Sequence, residues 1–374
     1  MPEETIQPEA KSTETKQGSA TDILHFEKWL ATLGERKATD LHLIAGNVPM
    51  IRIDSNIVPL TEENILTVEM VQSIIEHLFS DAEQKQFIKC RNYLKSATLK
   101  KIMRFRVHAF YSRGFPGISL RHLPSESKTL AELGMPEIVK EFYSAEQGLY
   151  IVAGPFDSGR TTTVKSIISE INHTQSKYIV MLEHPIEYII PSDKSVIVQR
   201  EIGRDVESIT KGIESIRDED VDIVVVSSLD DAQTVDEVLQ FVGTGRLVIA
   251  ISEGRHSLGV MENIRDMFSE ENRQRILHML GDSLLGITVQ QLLPRVGGGR
   301  ELVTEVLRAT HPIKSLIREN KLSQLPNVIQ TSRLDGMRNM DQALAEAVKA
   351  GAIGLRDAQS HAVDLNQFNL LVSH

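Results

Sequence analysis

Leu149-Tyr150-Ile151-Val152-Ala153-Gly154-Pro155-Phe156-Asp157-Ser158-Gly159-Arg160-Thr161-Thr162 decides the fold. Leu149–Ala153 is a compact apolar strand, a glycine-bounded loop follows, and Thr162–Ile171 continues as a helix. Strand, glycine-rich loop and helix in that order are the setting of a phosphate-binding loop. The pattern G-x-x-x-x-G-K-[ST] is met at Gly154, Gly159 and Thr161, with Arg160 in place of the lysine. The glycines let backbone N–H groups curl around phosphate oxygens, and the helix start adds the positive end of its dipole. Thr161 would place a hydroxyl on Mg²⁺, and Arg160 a cation near the β- and γ-phosphates. An arginine fork is larger than a point-like ammonium, so binding tolerates this exchange better than catalytic positioning does. Glycine turns between a strand and a helix are often purely structural. Here the context favours a nucleotide site, with Gly154, Ser158, Gly159, Arg160, Thr161 and Thr162 as candidate nucleotide-binding residues.

Outward from this stretch, short apolar strands are expected at Tyr178–Leu182, Asp222–Val226 and Arg246–Ile251, with helical segments between some of them. That alternation implies an α/β fold with a mostly parallel sheet. Helices are expected at about Ser269–Leu293, His311–Glu319, Asp341–Ala350 and Leu355–His361, and Gly297-Gly298-Gly299 reads as a hairpin turn. Upstream, Ile23, Phe26, Leu30 and Leu33 recur at helical spacing between a possible Asp22 N-cap and Gly34. Strands follow at Asp40–Ile44 and Met50–Ile53, and a helix at Val68–Phe79. Arg104–Tyr111 alternates Phe105, Val107 and Ala109 with Arg104, Arg106 and His108, the pattern of a half-buried strand, and Gly117–Leu123 is its expected partner. The expected organisation is a disordered tail over 1–21, a small N-terminal α+β domain over 22–125, a linker over 126–147 and a P-loop domain over 148–374 with a helical C-terminal part.

Composition narrows the class. The chain has 374 residues, 41% hydrophobic and 25% charged, ordinary values for a soluble globular protein. One cysteine, Cys90, excludes a disulfide framework or a four-cysteine zinc site; it is expected to pack as a small side chain beside Phe87 and Ile88. The polar N-terminus is no secretory signal. The longest apolar runs, Ile223–Val226 and Leu247–Ile251, are too short to cross a bilayer. No membrane insertion and a cytoplasmic location are therefore expected, with a membrane-bound partner left open. A net charge of −10 disfavours nucleic acid as the main partner.

Several co-linear segments resemble the PilT family of type IV pilus retraction ATPases, within the wider secretion-ATPase superfamily, from Asp22 to about Ala358. They are Ala38–Leu43 (ATDLHL), Pro49–Asp54 (PMIRID), Arg104–Val107 (RFRV), Leu130–Pro136 (LAELGMP) and His311–Glu319 (HPIKSLIRE). The resemblance implies a PAS-like N-terminal domain before a RecA-like P-loop domain, and Mg-ATP as ligand with Thr161 on the metal. It also implies a homo- or hetero-hexamer with PilT-like subunits, acting on a pilus or secretion inner-membrane platform protein. The assembly-type relatives usually carry a tetracysteine zinc motif, which one cysteine cannot supply.

The family's chemistry is altered at several positions. Met181–Glu187 (MLEHPIE) keeps the acidic Glu183 and Glu187, which could hold Mg²⁺-bound water or pair with arginines. In Asp222–Asp231 (DIVVVSSLDD), Ser228 stands where the resemblance places the catalytic glutamate. In Gly245–Glu253 (GRLVIAISE), Arg246 and Glu253 replace the family's two histidines, and His256 is not read as an equivalent. Arg104, Arg106 and Arg121 match arginines that the family directs toward a nucleotide site; taken alone they are solvated strand residues. A serine cannot act as a carboxylate base, and losing a positioned base costs about 10²–10⁴ in rate. The expected function is an ATP-binding subunit of a pilus or secretion machine with weak or lost hydrolysis. Two alternatives stand beside it: an active retraction motor using Asp230 or Glu253 to orient water, and a nucleotide-independent interaction module.

Overall fold

The computed structural model describes residues 15–53, 56–99, 103–123 and 128–373. The chain divides between Ser125 and Glu126 into two compact units.

The first unit holds a six-stranded antiparallel sheet of β1 (Asp40–Ile44), β2 (Met50–Ile53), β3 (Asn56–Pro59), β4 (Asn92–Leu99), β5 (Met103–Ser112) and β6 (Phe115–Leu123), in the order β3-β2-β1-β6-β5-β4. The alternation in β5 sorts its side chains by face: Phe105, Val107 and Ala109 are buried, while Arg104, Arg106 and His108 are half-exposed. The buried face packs on the helices Thr15–Glu35 and Val68–Leu78 through Phe26, Trp29, Leu30, Leu33, Val71, Ile74 and Ile75. The first helix begins at Thr15, upstream of the expected Asp22 cap, so residues 15–21 of the expected tail are helical; residues 1–14 of that tail lie outside the described residues. Cys90 ends the helix Asp81–Cys90 exposed, whereas Phe87 on the same helix is buried. The expected packing of the thiol is thus corrected: the inward position belongs to the larger apolar side chain.

The second unit is built on β7 (Gly148–Ala153), β8 (Tyr178–Glu183), β9 (Val196–Glu201), β10 (Ile223–Val226), β11 (Leu247–Ser252), β12 (Leu284–Pro294) and β13 (Arg300–Arg308), in the order β13-β12-β7-β11-β10-β8-β9. All neighbours are parallel except the hairpin β12–β13. The central strands are apolar on both faces because helices cover both. Tyr150, Val152, Ile179, Met181, Ile223, Val225, Leu247 and Ile249 pack with the helix Arg160–Thr174. Their alternates, among them Ile151, Leu182, Val224 and Val248, pack with the helices Ala232–Val242, Ser257–Asp266 and Glu270–Ser283. Each such aliphatic side chain contributes about 1.5–3 kcal/mol on burial, which makes this double-faced layer the unit's main source of stability.

The helix expected over Ser269–Leu293 ends at Ser283, and Leu284 onward is strand. Leu284–Leu293 is buried on both faces, so it carries no helical stripe, and pairing with β7 and β13 claims its backbone. Gly297-Gly298-Gly299 makes the turn of that hairpin, with φ between 81° and 103°.

Glu305 on β13 is buried and accepts from the backbone N–H groups of Ser257 at 2.5 Å and Met340 at 3.0 Å. It thereby joins the N-termini of two helices, Ser257–Asp266 and Met340–Lys349. Glu305→Ala is expected to lower unfolding free energy by about 3 kcal/mol, because it strands buried donors, and Glu305→Gln by less. Urea unfolding of the three proteins checks this; an unchanged midpoint for Glu305→Ala would remove the carboxylate from any stabilising role.

Candidate functional site

Four parallel strands, β7, β11, β10 and β8, deliver their C-terminal ends to one edge of the sheet, where open α/β sheets bind ligands. Beyond Ala153 lies the loop Gly154–Gly159; β8 ends on Glu183, β10 is followed by Ser227 and Ser228, and β11 ends on Ser252 and is followed by Glu253. The parallel register therefore gathers residues from four distant parts of the chain.

The loop itself is shaped by two glycines. Gly159 sits in the left-handed region at φ 86° as the helix N-cap, and no side chain caps the helix Arg160–Thr174. The first N–H groups of a helix have no partner within it, and together with the dipole they favour an anion. At Gly154 a Cβ would fall 2.3 Å from Ser158 Oγ and 2.5 Å from the Gln290 carbonyl oxygen. Gln290, on β12, donates from Nε2 to the Ser158 carbonyl at 2.7 Å and so braces the loop from below. Ser158 is buried, yet its hydroxyl has no hydrogen-bond partner among the described residues, and the same holds for Gln290 Oε1. Buried polar atoms without partners are unusual; a phosphate oxygen would satisfy the serine hydroxyl.

Arg160 reaches across to β11. Its Nη1 donates to the Ser252 carbonyl at 2.7 Å and its Nη2 to Glu253 Oε1 at 3.4 Å. Two replacements inferred separately from the sequence, arginine at 160 and glutamate at 253, are thus partners in space. Ser228 is half-exposed, one residue beyond the Ser227 that lines a small cavity under the helix start. Asp231 caps the next helix by accepting from Thr234 N at 2.9 Å, while Asp230 is exposed. Asp222 and Arg246 belong to the opposite end of the sheet. Asp222 accepts from Tyr178 N at 2.8 Å, and Arg246 donates to the Val221 carbonyl at 3.2 Å. His256 caps its own helix by accepting from Gly259 N at 3.0 Å.

The cavity under the helix start encloses about 20 Å³ and is lined by Thr161, Lys165, Glu183, Tyr188 and Ser227 among others. Glu183 is buried and accepts from Gln199 Nε2 at 2.8 Å. Lys165 is also buried, with its ammonium 4.1 Å from the centroid of the Tyr188 ring, and burial holds its pKa below the usual lysine value. Glu187 is half-buried on the segment after β8. Arg104, Arg106 and Arg121 stand on the first unit's sheet. Arg106 and Arg121 are directly opposite across β5 and β6, Arg104 donates to Thr98 Oγ1 at 3.2 Å, and Arg121 pairs with Asp40 at 2.9 Å.

The family model for type II/IV secretion system proteins matches residues 90–298. The type IV pilus retraction ATPase PilT of Pseudomonas aeruginosa is 32% identical over 338 residues, covering 89% of this chain and 96% of that protein. The chain belongs to the PilT-type pilus-retraction ATPase family. The pilus ATPase PilU of the same organism is 29% identical, covering 93% of this chain and 91% of its own length. A crystal structure of the pilus retraction motor PilT with bound ADP superposes with a TM-score of 0.81 at 33% identity, covering 91% of this chain and 97% of that one. The two-unit α/β fold, with a small N-terminal domain before a domain built on a mostly parallel sheet, is therefore that of a PilT-type protein.

Within this PilT-type chain the loop's donors fit a phosphate, and Thr161 and Glu183 are the oxygen donors nearest to it. The loop offers left-handed glycine geometry, a helix start and the unpartnered Ser158 hydroxyl. Magnesium demands near-octahedral oxygen ligands and keeps several waters. It would meet that demand with oxygens of the nucleotide's phosphates as well as those of the protein. Among the described residues no group of three or more His, Cys, Asp or Glu side chains could hold a metal. Gln290 and Lys165 escape the sequence motifs. Gln290 sits in the stretch expected to be helical, whereas Lys165 could have been found as a polar residue four places after Thr161, on the face shared with buried Ile168 and Asn172.

Proposed function

We propose that this PilT-type chain binds a nucleoside triphosphate at Gly154–Thr162 and hydrolyses it weakly or not at all. It would act as a regulatory or scaffolding subunit of a type IV pilus or related secretion motor, in a homo- or hetero-hexamer with PilT-like subunits. One observation carries the reading: Arg160, the loop's cation, is engaged by Ser252 and Glu253. Phosphoryl transfer depends on positioned charge and a positioned water. A guanidinium held by a carbonyl and a carboxylate is partly neutralised before any phosphate arrives. The serine at 228 supplies neither the charge nor the basicity of a glutamate. Backbone amides at the helix start, the Ser158 hydroxyl and Thr161 remain to hold phosphate oxygens, so binding and turnover separate. Glu183 and Glu187 would bound the phosphate end of the site. Among the described residues no helix is long and apolar enough to cross a membrane; a cytoplasmic subunit held to an inner-membrane platform protein accords with that.

Calorimetric titration with ATP, in parallel with steady-state phosphate release, tests this. Saturable binding is expected, with turnover at least about 10²-fold below that of a PilT motor assayed beside it. Equal turnover would sink the reading, and so would no binding.

A further inference from the structure

Gln290 lies on β12 beneath the phosphate loop and is fully buried. Its amide makes one hydrogen bond among the described residues, from Nε2 to the Ser158 carbonyl at 2.7 Å, and its Oε1 makes none. A buried amide oxygen without a partner is destabilising, and an apolar side chain would fill the same place without that penalty. The sheet neighbours do not ask for a polar group either. The preceding Val289 pairs with Ala153 of β7, and Gln290 stands opposite Thr304 of β13, whose hydroxyl already accepts from Arg338. What the position keeps is therefore the donor.

That donor holds a peptide plane. The Ser158–Gly159 bond is trans, and in a planar trans peptide the carbonyl and the following N–H point in opposite directions. Drawing the Ser158 carbonyl onto β12 therefore turns the Gly159 N–H away from the sheet. The Gly159 N–H has no acceptor among the described residues, and it precedes the helix start, whose first N–H groups also have no partner within the helix. Glycine does not choose this orientation by itself. Its φ here is 86°, and glycine takes the opposite sign about as readily. The flipped plane would turn the partial negative charge of the Ser158 carbonyl toward the anion.

We propose that Gln290 is the positioning residue that sets the phosphate loop in its anion-binding state, by holding the Ser158–Gly159 peptide with its N–H toward the phosphates and its carbonyl away from them. This rests on the nucleotide-binding reading above and names what keeps that site competent. Control of the loop thereby lies on the β12–β13 hairpin, 132 residues along the chain from Ser158.

The test titrates full-length wild type, Gln290→Met and Gln290→Glu with ADP, magnesium present throughout, between about pH 8 and about pH 5.5, a range into which burial raises the pKa of an introduced carboxyl. Methionine is of similar size and cannot donate. Its affinity is expected to fall about tenfold or more at every pH, because binding then includes the loss of a buried hydrogen bond. Glutamate has the shape of glutamine. Ionised it only accepts, and it meets the Ser158 carbonyl with like charge; protonated it donates as the amide does. Relative to wild type, its affinity is expected to be low at the alkaline end and to recover about tenfold at the acid end, with circular dichroism confirming the fold at both. A residue that merely fills space would give no such recovery. If wild type binds ADP and Gln290→Met binds it equally well, the proposal is overturned while nucleotide binding stands. The same holds if Gln290→Glu follows wild type at every pH. No binding by wild type overturns both readings. Should either variant fail to fold, the other decides.

Discussion

Replacing three side chains together, Arg160→Lys, Ser228→Glu and Glu253→His, is expected to raise ATP turnover by about 10²-fold or more over wild type. Each change addresses a separate defect. Removing Glu253 releases the cation that it and the Ser252 carbonyl now hold, and lysine restores a compact ammonium that reaches phosphate without a fork's geometric demands. Glutamate at 228, just past the end of β10, places a carboxylate beside the cavity that Ser227 lines. Any single change should give little. Ser228→Glu alone adds negative charge to an edge already carrying Glu183 and Glu253, and Arg160→Lys alone leaves the new ammonium next to Glu253. Groups that act as a unit in catalysis are grossly non-additive, so the triple variant should exceed the product of the singles. Phosphate release by all five proteins, wild type, the three singles and the triple, is the measurement. Turnover in the triple variant no higher than in wild type would place the cause of weak hydrolysis outside these three positions.

Gly154→Ala is expected to abolish nucleotide binding and to destabilise the second unit by about 1–3 kcal/mol, the usual range for overpacking. A methyl there would stand 2.3 Å from Ser158 Oγ and 2.5 Å from the Gln290 carbonyl oxygen. The serine hydroxyl can rotate. The carbonyl cannot, because β12 is held in register by β7 on one side and β13 on the other. The loop must therefore rise off β12, weakening the Gln290–Ser158 hydrogen bond and turning the amides away from any anion. Gly298→Ala is the control, since a Cβ there meets nothing within 4 Å and only its φ of 103° is strained. That variant should bind nucleotide like wild type. Titration and thermal unfolding of both variants check the pair; normal affinity in Gly154→Ala would show that the loop does not need this close approach.

Much of the framework was legible in the sequence because it is local. The run from Leu149 through the loop into the helix, the alternation of Phe105, Val107 and Ala109, and the short apolar strands each depend on neighbours within a few residues. The bounds of β1 and β2 coincide with the expected segments. The hairpin β12–β13 was half visible. Its glycine turn is legible, but Leu284–Leu293 is not, because a segment buried on both faces shows no period and only its sheet neighbours choose between helix and strand.

The sequence by itself determined the family, the phosphate loop and the exchange of side chains at 160, 228 and 253. Only the tertiary structure decided what those side chains touch. It set Arg160 against Ser252 and Glu253, placed Gln290 under Ser158, and put Lys165 into one cavity with Thr161 and Glu183. These residues lie up to 132 positions apart. Spacing along a chain governs hydrogen bonding within a helix or turn, but the distance between side chains on different strands is set by sheet order and register, which follow from the packing of the whole unit.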